Sequence, residues 1–250
     1  MINIILHGCS GRMGHIITEI CGNDPNTVIV AGVDAFGDAY AGYPVYRTLA
    51  ECPEADVVID FSTASAVDGL LDYCSEKKLP VVVCTTGLSN DQTKALHKAA
   101  EKTAVLKSAN MSVGINLLEV LIAQAAPKLA AAGFDIEIVE KHHKMKIDAP
   151  SGTAIALAEA ANDALGGEYE FVYDRSGRRE KRPVKEIGVS AVRGGTIVGD
   201  HDVIFAGQDE VITLSHRAYS RAVFGKGAVE AAKFLCGKEA GFYTMGDVLS

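Results

Sequence analysis

The 250-residue chain has no tryptophan and only 6% aromatic residues, so it has little material for the stacking platforms that bind bases or sugars. It also lacks a positive balance, since 24 Lys and Arg against 32 Asp and Glu give a net charge of −8 with histidines neutral. A nucleic-acid binder gathers cations on one face. The densest basic stretch here, Arg175 to Arg182, carries five positive charges with Glu180 among them and reads as a solvated loop. The six cysteines, at positions 9, 21, 52, 74, 84 and 236, include no C-x-x-C pair and no Cys/His spacing of a zinc site, which leaves most of them as reduced core residues. No apolar run approaches the roughly 20 residues of a membrane span, and the start, Met1-Ile2-Asn3-Ile4, carries no basic n-region of a signal peptide. The expectation is a cytoplasmic protein that acts on a small molecule, with neither nucleic acid nor membrane as partner.

What is present is ordinary globular material, 48% hydrophobic and 22% charged, in a length that suits one α/β domain or two small ones. In the first hundred residues, β-branched runs (Ile2 to Leu6, Val28 to Val33, Val57 to Phe61, Val81 to Cys84, Val105 to Lys107) alternate with helical spacing at Met13 to Cys21, Ala66 to Glu76 and Asp91 to Lys102. Continuous apolar strands separated by helices predict a doubly wound parallel sheet. After Asn110 the pattern changes. A helix from Gly114 to Ala131 is followed by alternation over Asp135 to Lys141 and a helix from about Thr153 to Leu165. Strands near Ile187 to Val192, Val203 to Phe205 and Val211 to His216 then complete an α+β layout. A last helix, Gly227 to Leu235, is placed to return and cover the first domain. The Y-x-x-x-K of Tyr73 to Lys77 comes too early for a short-chain dehydrogenase helix and reads as a solvated helix face.

Between the first strand and the first helix lies Gly8-Cys9-Ser10-Gly11-Arg12-Met13-Gly14, a G-x-x-G-x-x-G one position removed from the usual dinucleotide fingerprint but in its strand–turn–helix context. Glycines let the backbone approach a pyrophosphate, and a helix N-terminus supplies N–H groups and partial positive charge. Asp34, 20 residues after Gly14 at the end of the second strand, can accept hydrogen bonds from an adenosine ribose. No Lys-Ser/Thr pair of a nucleoside triphosphate loop is present, so the expected cofactor is a nicotinamide dinucleotide. Ala35 and Phe36 follow Asp34, with no Arg at once for a 2′-phosphate, so NADH should work at least as well as NADPH, although Arg12 could still reach the phosphate.

The segment Glu140-Lys141-His142-His143-Lys144-Met145-Lys146-Ile147-Asp148-Ala149-Pro150-Ser151-Gly152-Thr153-Ala154 is the most informative. Ser151 or Thr153 can cap the helix that follows, and the N–H groups of Gly152 and Thr153 at its positive end suit a carboxylate. His142 and His143 exchange protons near neutral pH, and a neighbouring lysine either binds a second carboxylate or acts as an acid. On an extended strand His142 and Lys146 share a face and His143 takes the other, so all three meet one ligand only if the chain bends after His143. A His-His pair also suits a metal, but no neighbouring carboxylate or Cys completes such a set, and none is expected.

On these residues the chain resembles the 4-hydroxy-tetrahydrodipicolinate reductase (dihydrodipicolinate reductase) family of bacterial lysine and diaminopimelate synthesis, nearly end to end. The resemblance rests on Gly8 to Gly14, Thr85-Thr86-Gly87, Ala109 to Gly114, and above all His142-His143 through Lys146 to Thr153-Ala154. Gly194 to His201, Gly237-Lys238-Glu239 and Asp247-Val248-Leu249 add to it. It implies an α/β fold in which a doubly wound, Rossmann-type dinucleotide-binding domain (1–111 and 217–250) surrounds an inserted α+β domain (112–216) for substrate binding and oligomerisation. It further implies His142 as general acid/base, Lys146 as proton donor, His143 as substrate contact, and Gly152 and Thr153 as binders of a substrate carboxylate. Contacts to NADH or NADPH would come from Gly8, Cys9, Ser10, Gly11, Arg12, Met13, Asp34, Cys84, Thr85, Thr86, Ser108, Ala109, Asn110 and Met111. A dicarboxylate substrate, a homotetramer built through the second domain's sheet, and domain closure are implied as well. Cys9, where the family commonly has Ala, and Cys84, where Gly often precedes the two threonines, depart from its pattern. Two rivals remain: another amino-acid dehydrogenase of the same plan, which would lack the His-His to Ser-Gly-Thr stretch, and a dinucleotide sensor, which would lack the proton donor.

Overall fold

The β-branched runs of the first hundred residues form strands because each is buried on both faces, where stiff, branched side chains pack well. The computed structural model describes residues 1–36 and 42–250. These divide into two units, Met1–Val113 with Arg221–Ser250, and Gly114–Ser220.

The first unit contains β1 (Ile2–His7), α1 (Arg12–Gly22), β2 (Thr27–Val33), β3 (Val45–Tyr46), β4 (Val57–Asp60), α2 (Ala64–Lys77), β5 (Val81–Val83), α3 (Asn90–Ala100) and β6 (Ala104–Leu106). With β12 (Gly241–Tyr243) at one edge, all pairings of its seven-stranded sheet are parallel, in the order β12-β6-β5-β4-β1-β2-β3. Alternation sends Ile4, Leu6, Val57, Ile59 and Val82 to one core and Ile5, Val58, Val81 and Val83 to the other. Helices therefore cover both faces, as in a doubly wound sheet. The reversal of strand order between β1 and β4 opens a crevice at their carboxyl ends, the usual ligand position in this architecture. The final helix, α6 (Ala222–Leu235), does return onto this unit, burying Ala228, Val229, Ala232 and Leu235. The short β3 and β12 (Gly241–Tyr243), with α7 (Met245–Val248), escape sequence periodicity because two to four residues hold less than two periods. Tyr73 is half-buried against the second core, so the helix face carrying Y-x-x-x-K is less solvated than its sequence suggests.

The second unit holds α4 (Val113–Ala131, whose first residue belongs to the first unit), β7 (Asp135–His142), α5 (Gly152–Ala164), β8 (Glu170–Val172), β9 (Glu186–Arg193), β10 (Gly199–Ala206) and β11 (Val211–Ala218). Its mixed sheet runs β11-β10-β7-β9-β8, with β7, β8 and β9 parallel and β10 antiparallel to β7 and β11. Strict alternation along β7 buries Ile136, Ile138, Glu140 and His142 on one face. There Ile136 and Ile138 meet Leu118 and Ile122 of α4 and Ala154, Leu157 and Ala161 of α5.

Two expectations are corrected here. By length and composition, the 19-residue α4 is apolar enough to cross a membrane, although Asn116, Glu119, Gln124 and Lys128 break every uninterrupted run; its Leu118, Ile122 and Ala126 are buried in the unit's core. The Arg175 to Arg182 stretch is not simply solvated. Arg175 forks onto Glu137 at 2.9 and 2.8 Å, Arg182 reaches Asp135 at 2.7 Å and Glu137 at 3.0 Å, and Arg178 pairs with Glu186. The acids come from β7 and β9, which no local reading of the basic run would supply.

Candidate active site

In the first unit, Gly8 follows β1 with φ +81°, and a Cβ there would lie 2.6 Å from the Phe61 carbonyl oxygen, so only glycine fits this approach of two strand ends. Gly11 is the N-cap of α1 and has no side chain to cap it, and no acid stands in the first turn, so the N-terminus keeps its capacity for an anion. Gly8, Gly11, Asp34, Phe61, Ser62 and Thr63 line a cavity of about 350 Å³. Asp34 turns its carboxylate onto the N–H groups of Ser10 (3.2 Å) and Phe36 (2.9 Å). A second cavity of about 230 Å³ gathers Cys84, Thr86, Ser108, Ala109, Asn110 and Met111, again with Phe61. Cys9, Ser10, Arg12, Met13 and Thr85 line neither cavity. The Cys9 and Cys84 side chains are in the core, and burial pushes both thiols up from their ordinary value, so neither is a nucleophile at neutral pH. A crevice with glycine-only backbone, an uncapped helix start and a strand-end carboxylate fits a dinucleotide.

In the second unit, β7 ends at His142, and a turn follows at once in which the Lys146 N–H donates to the His143 carbonyl at 3.1 Å. Strand parity therefore stops at His142 and does not decide where Lys146 points. The Lys146 ammonium lies 2.8 Å from Asp148. Ser151, not Thr153, caps α5: its hydroxyl accepts the Ala154 N–H at 3.1 Å. Gly152 and Thr153 thus become the first two helical residues, whose N–H groups stand outside the helix's own ladder. The absence of a carboxylate beside the histidines is also corrected. Glu140 Oε2 sits 2.6 Å from His142 Nδ1, while the Glu140 carboxylate also accepts both terminal nitrogens of Arg193 (2.7 and 2.8 Å) and the Ser151 N–H (2.9 Å). With its oxygens so occupied, Glu140 orients protein groups. Burial alone would raise its carboxyl, but Arg193, His142 and Ser151 outweigh that and hold it below the ordinary carboxylate range. Burial draws His142 below its ordinary value against the raising influence of Glu140.

The sequence profile of dihydrodipicolinate reductase, N-terminus, matches residues 2–111, and that of dihydrodipicolinate reductase, C-terminus, matches residues 114–249. The chain belongs to the dihydrodipicolinate reductase family. A 4-hydroxy-tetrahydrodipicolinate reductase of Caldanaerobacter subterraneus is 52% identical over all of this chain and 98% of that protein. One from Clostridium tetani is 47% identical over 100% and 98% respectively. The solved structure of a dipicolinate-bound dihydrodipicolinate reductase from a Paenisporosarcina species superposes with a TM-score of 0.80 at 25% identity, covering 98% of this chain and 97% of that one.

Several site neighbours carry no sequence motif. Asp60, fully buried at the end of β4, accepts the Ser62 N–H (3.1 Å) and hydroxyl (2.6 Å) and lies 2.9 Å from His7 Nδ1, which holds the turn that lines the first cavity. His201 of β10 stacks edge-on against His142 with ring centroids 5.2 Å apart, its Nε2 3.1 Å from the Ser151 hydroxyl. Only Glu140 could have been found locally, because it shares the parity of His142 two residues away. Burial first, and His142 second, pull His201 from 6.5 down to about 4. Its folded-state value is depressed, so the unfolded chain takes up a proton that the folded chain refuses as pH falls from about 6.5 towards 4. The stability His201 contributes is complete above that window and is lost through it. Thermal unfolding from pH 7 to pH 4.5 should therefore fall less steeply in His201→Gln than in the parent; parallel slopes would refute this.

Proposed function

We propose that the protein reduces 4-hydroxy-tetrahydrodipicolinate to tetrahydrodipicolinate with a reduced pyridine nucleotide, as a step of lysine and diaminopimelate synthesis. The observation that carries this reading is the 52% identity to a reductase of that name over the whole chain. The geometry agrees with it. The dinucleotide lies along Gly8 to Met13, Asp34, Cys84 to Thr86 and Ser108 to Met111, and when bound it supplies the hydride. Residues of the inserted segment, 112–216, handle the dianionic substrate. Gly152 and Thr153 take one carboxylate on the α5 N-terminus, His143 contacts the substrate, Lys146 contributes positive charge, and His142, with Lys146, delivers the proton. Thr153→Val, which keeps the N–H but replaces the hydroxyl beside the carboxylate site with a methyl, should raise KM for the substrate and leave the cofactor constant unchanged.

The substrate can be formed in situ from pyruvate and aspartate semialdehyde by the partner synthase while oxidation of NADH and NADPH is followed. Consumption of neither overturns the proposal. With Ala35 and Phe36 after Asp34, NADH is expected to serve at least as well as NADPH; a kcat/KM for NADPH more than about tenfold higher would reverse that preference. The enzyme works in the cytoplasm as a homotetramer joined through the five-stranded sheet, whose outward-facing Val192, Ile204 and Val211 offer apolar surface. A monomer on a sizing column at micromolar concentration would refute the assembly.

A further inference from the structure

A buried carboxylate is costly unless every lone pair has a donor. Glu140 is fully buried and meets that condition with partners from several parts of the second unit. Arg193 of β9, opposite His142 in the strand register, grips both oxygens, and the same guanidinium donates to the Asp148 carbonyl at 2.5 Å in the loop that carries Lys146. Ser151 at the head of α5 donates its N–H to Oε1. The remaining partner is His142 Nδ1 at 2.6 Å from Oε2. Arg193 and the Ser151 amide are obligate donors, and a carboxylate held ionised by a guanidinium fork can only accept. The proton of neutral His142 is therefore on Nδ1, and its exchangeable position is Nε2. Across the sheet from that atom stands Gly199, where a Cβ would come within 3.0 Å of Nε2. The opposing strand is thus bare at the one place where a side chain would cover Nε2.

We infer that Glu140 is a positioning residue that ties the proton donor to the carboxylate site: it fixes the His142 tautomer and, through Ser151 and Arg193, holds the start of α5 and the Lys146 loop in register with it. The inference rests on the roles of His142, Gly152 and Thr153 given under Proposed function. The groups facing His142 are Glu140 on its own strand, Arg193 from β9, His201 from β10 with His216 of β11 behind it, and Lys146 from the loop, itself paired with Asp148. Glu140 is the anion among them that touches the imidazole. Without it, His142 faces cations and neutral rings, and its affinity for a proton must fall.

The test begins with the unaltered protein. Nitrogen-15 spectra of its histidines, with His142 assigned by the signal lost in His142→Gln, should show the Nδ1–H tautomer above the titration midpoint; an Nε2–H tautomer overturns the inference. In folded Glu140→Gln, the His142 midpoint should drop by about one unit or more. The kcat should fall about 10- to 100-fold, its pH profile should move in the same direction, and KM for the substrate should rise. Glu140→Asp should recover part of the midpoint shift. An unchanged His142 midpoint in folded Glu140→Gln refutes the inference even if the parent is an active reductase. Failure of the parent to oxidise NADH or NADPH defeats the functional reading while leaving the tautomer measurement decisive for Glu140.

Discussion

Replacing His142 with Gln is expected to lower kcat by about 100-fold or more, with a smaller change in KM, because general acid catalysis of this kind contributes that much. The substitution isolates proton transfer from packing. His142 is 8% exposed at the end of β7, between Glu140 and the His201 ring, and a glutamine of similar length can still offer an amide N–H to the Glu140 carboxylate. What it cannot do is release and regain a proton at neutral pH. His143→Gln provides the contrast. His143 lies past the strand end with its carbonyl closing the turn to Lys146, and as a substrate contact its loss should act mainly on KM. Full kcat in His142→Gln would remove His142 from the proton path.

The second large effect is expected from a single methyl group. At Gly14, in the first turn of α1, a Cβ would lie 2.2 Å from the Cys9 carbonyl oxygen and 2.6 Å from that of Gly8. These are backbone atoms with no rotamer to retreat into, so the glycine loop must move off the helix that it opens. Overpacking of this kind costs about 1–3 kcal/mol, which for a chain of this size lowers Tm by roughly 2–12 °C. Displacement of the loop by about 1 Å should cost roughly 100-fold in kcat/KM for the cofactor. Gly22→Ala, at the exposed far end of the same helix with no atom within 4 Å of its Cβ, should leave cofactor use unchanged. Equal cofactor parameters in the two variants would show that close packing of loop on helix does not shape the dinucleotide site.

The sequence alone determined the features that depend on near neighbours. Continuous β-branched runs specify strands buried on both faces; the spacing of Gly8, Gly11 and Gly14 specifies a close turn into α1; Ser151 and Thr153 specify a cap at the start of α5; parity along β7 specifies that His142 and His143 take opposite faces. Each follows from backbone sterics or a two- or 3.6-residue period, which act within a few positions. The tertiary structure alone decided what surrounds those residues. The pairing of Glu140 with Arg193 spans 53 positions, and the contact of Ser151 with His201 spans 50. The same holds for the Arg175 to Arg182 run, in which Arg175, Arg178 and Arg182 pair with acids on β7 and β9, and for Lys146, whose placement follows from a turn stabilised outside the strand. Such partners are selected by strand register and by the burial of Ile136, Ile138 and their neighbours, which favours one alignment of the whole sheet over all others. Local propensity carries no record of that choice, so the His142 segment was legible in the chain and the hold of Glu140 on it was not.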